Sequence, residues 1–284
     1  MRIILSRKGL DSSFGNTASP IFPNGELLSL PIPDEHSPIR YEDIAWKGNS
    51  IGCIIEELSR GRISRKHGAH LDPDLRIESQ STRDPDWRGI FGQSGSAQGH
   101  LSKYVAPGDL FLFFGWFKQV AVNTQGVHIY PRDSRDLHLF FGWLQIEQIL
   151  EVIPTGTIPE WAAYHPHCAR GFSTQNNTLY IASRDLVLGN TTYPGRGFGT
   201  FDRSEQRHCL TCPDQPKRSI WKLPPWFYPF TESRTPLTYH GDTERWELLE
   251  DSTLLRTAGR GQEFVLDASV YPEAVGWAKS IIIS

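Results

Sequence analysis

One apolar phrase occurs twice in this chain. Asp109–Phe117 reads DLFLFFGWF, and Asp136–Leu144 reads DLHLFFGWL 27 residues later. Each copy is apolar at alternate and adjacent positions and dense in Phe, the composition of a strand covered on both faces. Asn123, Gly126 and Pro131 lie between the copies, so the pair predicts a long hairpin inside a sheet. Strict alternation puts Leu110, Leu112, Phe114 and Trp116 on one face of the first copy. It puts Leu137, Leu139, Phe141 and Trp143 on the equivalent face of the second. Gly115 and Gly142 then fall on the opposite face, each beside a Trp. A glycine within a strand marks a bulge or a close approach to the backbone. Two readings follow: a bulge inside aromatic packing, or a slot for a flat ligand.

Around this hairpin the remaining elements are short. Residues 2–6 predict a buried strand, and Ile51–Ser59 predicts a helix with Ser50 as N-cap and Gly61 as its stop. The prolines and glycines between residues 7 and 40 exclude a long helix there. Residues 60–108 are polar and rich in turn formers, a length of irregular chain that is usually functional or disordered. Beyond residue 150, short strands are expected at 178–183, 186–188, 246–249 and 263–266, with helices at 159–164 and 273–279. The region 189–245 is loop-rich, and no linker is visible. The expected fold is α+β: one domain over 1–284, with a strand-rich mixed sheet or partly open barrel, long loops and a few short helices.

Charge narrows the function. Lys plus Arg number 29 against 32 acidic residues, a net charge of −3. A protein that coats nucleic acid needs a basic surplus, so any nucleic-acid contact must be local. Nine Trp stand against a single Met, which favours rigid rings as core or as stacking walls. The apolar run in Met1–Lys8 is too short for a secretory segment, and no stretch is long enough to span a bilayer. The expectation is a cytoplasmic protein with no membrane association.

Several constellations can carry chemistry. Ser6, Arg7, Lys8 and Gly9 follow the first strand, where sites of open sheets form. Arg7 and Lys8 can hold phosphate, and Asp11 can act as a base or orient Arg7; the alternative is a solvated turn. His67, His70, Asp72 and Asp74 fall within eight residues. Histidines three apart in a proline-containing loop are not a diagnostic metal set, so an Asp-Pro turn with exposed histidines is expected. Gln93, Gln98 and His100 can read or position a base, or line a polar loop. His165 and His167 are acid/base candidates. Cys168, Cys209 and Cys212 with nearby histidines offer one CxxC without standard finger spacing, so ordinary residues are favoured over zinc. Trp221 and Trp226 lie in a proline-rich aromatic segment, either a stacking wall or a hydrophobic cluster. No dinucleotide, P-loop, nucleophile-elbow, zincin or zinc-deaminase motif is present.

The N-terminal phrase Leu5–Ser13, with Ser19–Gly25 and Ser29–Asp34, resembles the nucleotide modification associated domain of the third type. The resemblance continues through His70–Asp74, Phe91–Gln93, Gln98–Leu101, both FFGW strands, His165–His167, Asn177–Tyr180 and Trp221–Phe227, covering essentially the whole chain. Leu10 stands where the family pattern expects a larger aromatic, and Cys209 and Cys212 are not part of that pattern. The resemblance implies a bacterial or phage protein associated with modifying nucleotides or DNA bases, alongside other modification proteins. It names no cofactor and no metal.

Together these observations suggest an enzyme acting on a nucleotide or an extruded base. Asp11, His165 and His167 are the catalytic candidates. Ser6, Arg7, Lys8, Asp72, Gln93, Gln98, His100, Trp116 and Trp143 are the candidates for binding substrate. The alternative is a noncatalytic reader of modified bases, since Pro107–Phe113 resembles the strand entry of small PUA-type barrels.

Overall fold

A computed structural model describes residues 1–13, 15–169, 175–259 and 261–283. Its centre is the predicted hairpin: β4 (Leu110–Gln119) runs antiparallel to β5 (Asp136–Glu151). Both strands are covered on two sides, as their apolar runs require. The other strands of the main sheet are β1 (Arg2–Arg7), β2 (Ser19–Ile21), β3 (Ile90–Gln93), β6 (Thr178–Ala182), β7 (Phe198–Thr200) and β8 (Glu263–Asp267).

The sheet runs β8-β1-β4-β5-β6-β3, with β2 added to β4 and β7 added to β5. The pairs β1–β4 and β2–β4 are parallel and the rest antiparallel, so the sheet is mixed. Its ends, β8 and β3, do not pair with each other, so it is an open sheet and not a barrel. Strand β5 is long enough to serve two neighbours in succession: its first part pairs with β4 and its last part, from Ile146, with β6.

Alternation within the hairpin is interrupted. Phe140 pairs with Phe114, but Gly142 pairs with Phe113, leaving Phe141 as an extra residue. This bulge reverses the faces. Trp143, opposite Leu112, shares the Trp116 face, whereas Leu137 and Leu139, opposite Phe117 and Gly115, do not. The strict period-2 expectation therefore fails for Leu137 and Leu139. Close approach explains the glycines: a Cβ at Gly142 would lie 2.7 Å from the Gly199 carbonyl oxygen, and one at Gly115 would lie 2.8 Å from that of Lys8.

Among the described residues there are four α-helices: α1 (Gly52–Ser59), α2 (Gly95–Leu101), α3 (Pro166–Ala169) and α4 (Glu273–Ile282). The Ser50 hydroxyl accepts from the Gly52 amide at the start of α1, and Arg60 and Gly61 close it with positive φ. Helix α2 lies where a polar loop was expected. Two glycines in seven residues hide it, and burial of Gln98 and Leu101 holds it in place. The predicted segment 159–164 contains only a turn of 3-10 helix, Glu160–Ala162. Two apolar clusters flank the sheet's own core. One gathers Leu10, Leu30, Tyr41, Ile55 and Leu71 from the N-terminal segment, and the other gathers Ile90, Val152, Leu179 and Ile181 around β3 and β6.

Candidate functional site

Three stretches of backbone meet at the β3 edge. A two-stranded ladder pairs Ile32 with His70 and Pro33 with Ala69, which brings Asp34 beside the His70 ring. The chain then turns back: the Asp72 amide donates to the His70 carbonyl, and Asp74 exchanges two backbone hydrogen bonds with Ile90. Asp72, joined to Pro73 by a cis peptide, is thereby set against β3, where the Gly92 amide donates to its Oδ1 at 2.8 Å. Helix α3 brings His167 onto the other side of Gly92, so closely that a Cβ there would overlap the imidazole. Gly92 is thus glycine for space.

Asp72 is surrounded by imidazoles. His165 Nε2 is 3.4 Å from its Oδ1; His167 Nε2 and His70 Nε2 are 3.6 and 3.7 Å from its Oδ2. The outer ring nitrogens are anchored. His70 Nδ1 meets Asp34 Oδ2 at 2.8 Å, and His167 Nδ1 meets Asn177 Oδ1 at 2.7 Å, while the Asn177 amide donates to the His167 carbonyl. Nδ1 donation in both rings leaves Nε2 as the nitrogen that faces Asp72. His70, Asp72 and His167 each offer a ligand atom within 4.8 Å of the others, an arrangement that can hold a metal ion.

The electrostatics are those of a shielded charge. Burial works to raise the Asp72 carboxyl, but the three histidines hold it well below the ordinary carboxylate range. Burial likewise opposes charge on His70, yet bonds to Asp34 and Asp72 move it upward overall. His165 is fully buried, and that burial pushes it down to about 4. Its Nε2 has no hydrogen-bond partner. Beneath the cluster Asp74 binds Arg83, and the Tyr164 hydroxyl donates to the Asp74 carboxylate. A cavity of about 40 Å³ borders Asp72, lined also by Gly9, Ser29, Pro73, Arg76 and Thr200.

A second pocket, of about 110 Å³, opens one residue away along the chain, at Lys8 rather than Gly9. It brings together Arg7, Lys8, Asp11 and Trp116 of the sequence candidates and adds His138 and Arg218. The Arg218 guanidinium lies 4.3 Å over the Trp116 ring, whose Nε1 donates to Asp136. Arg7 donates to the carbonyls of Gly259 and Gly261. Asp11 accepts from the Ser13 amide.

The other candidates lie elsewhere. Lys8 lines the Trp116 pocket, but its Nζ is bound at 2.7 Å by Glu263, a buried carboxylate that also receives Gln93 Nε2 and the Ser6 hydroxyl. Gln98 accepts from Tyr180 inside the core, and His100 packs between Tyr104 and Tyr239. Trp143 is buried, with its Nε1 donating to Arg196 and its ring against Gly199, so it is packing and not a slot. Trp221 is fully buried, and Trp226 stacks on Phe227. Among the described residues no cysteine joins a metal-binding group. His70 corrects the expected exposed loop: it is 8% exposed, while His67 is open to solvent. Asp34 and Asn177 were absent from the sequence candidates, and His70 appeared there only in a metal set judged non-diagnostic. The available signal was the closeness in sequence of His70 to Asp72 and of His165 to His167.

No helix among the described residues is long and apolar enough to cross a membrane. No curated protein and no solved structure matches the chain. The model of nucleotide modification associated domain 3 matches residues 2–267. That span includes every residue of the Asp72 centre and of the Trp116 pocket, and the chain belongs to this family.

Proposed function

We propose that this protein is an enzyme that modifies a nucleotide or an extruded nucleic-acid base, with the reaction centred on Asp72 and its histidines. One observation carries the reading: a carboxylate 4% exposed is held by three imidazoles and a backbone amide at the edge of a small cavity. A structural Asp does not need three imidazoles, and strongly perturbed titratable groups gathered beside a cavity are characteristic of reacting centres. The Trp116 pocket supplies what a nucleotide requires: a ring to stack on, and the guanidinium groups of Arg7 and Arg218 for phosphate. Its small volume and the net charge of −3 suit a local contact rather than a long groove.

The test is mass spectrometry of nucleosides from cells carrying the neighbouring genes and expressing either the native chain or Asp72→Asn. The native chain should yield a nucleoside that is absent without it, and Asp72→Asn should abolish that product. An unchanged profile with the native chain overturns the reading. A product that survives Asp72→Asn removes Asp72 from the chemistry.

A further inference from the structure

We infer that His70, Asp72 and His167 form a binding site for one divalent first-row transition ion, of the Fe2+, Co2+ or Zn2+ class. The inference concerns the centre proposed above to be reactive, but metal binding there can be measured whether or not the activity is found.

The donor set comes first. Two imidazole nitrogens and one carboxylate oxygen favour these ions over Mg2+ or Ca2+, which take oxygen ligands. Two histidines with one carboxylate leave coordination positions open for water or substrate, as a reactive metal requires. Ligands about 2.1 Å from a shared ion lie roughly 3.0 to 3.4 Å from one another. Asp72 Oδ2 is 3.6 Å from His167 Nε2 and 3.7 Å from His70 Nε2, and all three ligand atoms lie within 4.8 Å of one another, so the two rings must draw closer together to close the site.

Orientation is the second support. A ligating histidine characteristically gives its other N–H to a carboxylate or carbonyl oxygen, which fixes the tautomer that presents a lone pair to the metal. Both rings do this: His70 through Asp34 and His167 through Asn177. Asn177 in turn holds the His167 backbone carbonyl, so ring and backbone are pinned by one side chain. The bulky ring reaches Asp72 only because Gly92 has no side chain.

A third observation is independent of the three ligands. His165, with no exposed surface, points its Nε2 toward the same carboxylate from 3.4 Å and has no partner for it. A buried polar atom without a bond is costly. A bound ion with its water gives that atom a hydrogen-bond partner. Charge agrees: among described residues, Asp72 has no Lys or Arg against it, only imidazoles and the Gly92 amide.

The experiment uses the full chain without a histidine tag, stripped with chelator and titrated anaerobically with Co2+ by calorimetry and visible absorption. We expect saturation at one ion per chain, with ligand-field bands from nitrogen and oxygen donors. His167→Ala should abolish binding. Asn177→Ala touches no ligand atom directly and should weaken it by about 10- to 100-fold, and Asn177→Asp, which keeps the acceptor oxygen, should restore it. Absence of saturable Co2+ binding by the native chain overturns the inference, as does binding unchanged in His167→Ala and Asn177→Ala variants with native circular dichroism. Complete displacement of Co2+ by equimolar Mg2+ also overturns it. A metal-binding chain with an unaltered nucleoside profile would refute the proposed activity and leave the site standing.

Discussion

Lys8 shows how one residue's role depends on its neighbours. In sequence it is a cation next to a glycine after a strand, a natural phosphate ligand. In the structure its ammonium is committed to Glu263, whose carboxylate is 1% exposed and also receives Gln93 and Ser6. The Lys8 ammonium also lies 4.6 Å over the Phe91 ring. Replacing Lys8 by Met leaves that carboxylate buried without a cation, which should destabilise the fold by about 3–5 kcal/mol in denaturant melts. Adding Glu263→Gln should recover much of the loss, because the orphaned charge is then gone. If the Lys8→Met chain keeps its stability and loses nucleotide binding instead, the ion pair is incidental and Lys8 serves the ligand. Arg7 differs in kind: its guanidinium donates to the Gly259 and Gly261 carbonyls, and among the described residues no carboxylate forms an ion pair with it.

At the scale of elements, the duplicated strands built what their composition required, yet one bulge altered which side chains share a face. Gly142 is the pivot. A Cβ there would lie 2.7 Å from both the Gly199 carbonyl oxygen and Leu75 Cδ1. Gly142→Ala must push β7 away from β5, where Gly142 pairs with Thr200 and Trp143 with Gly199. The cost should be about 1–3 kcal/mol of stability, read from the denaturant midpoint. The same change at Gly126, where no atom lies within 4 Å but φ is +80°, should cost only the backbone strain of the turn. Alternation alone cannot reveal this, because an inserted residue preserves composition while inverting the pattern. Helix α2 was hidden for a similar reason: its glycines argue against a helix, and only the burial of Gln98 and Leu101 argues for one.

For the whole molecule, buried neutral histidines set the response to acid. Burial pushes His138 down to about 3 and His240 down to about 4. His138 accepts from the Trp221 indole, and His240 Nε2 accepts from the Ala258 amide, bonds that a protonated ring cannot make. The unfolded chain takes up these protons near the ordinary histidine pKa of about 6.5, before the folded chain does. Stability is therefore fully present above about pH 6.5 and falls as pH drops toward 4, by about 1.4 kcal/mol per pH unit for each ring. Thermal unfolding followed from pH 7 to 4 should show the decline, and His240→Gln should flatten it; a midpoint independent of pH across that range would contradict both assignments. The chain's own order of residues determined the strands of the central hairpin, helix α1, the mixed α+β character and the family, and it put Asp72 among the binding candidates and His165 and His167 among the catalytic ones, because periodicity, turn chemistry and local motifs are carried by near neighbours. Only the tertiary structure decided which candidates meet. Asp34, His70, Asp72, His165, His167 and Asn177 come from three distant stretches, and whether a polar side chain faces a site or an internal partner, as with Lys8 and Gln98, depends on contacts made across the sheet rather than along the chain.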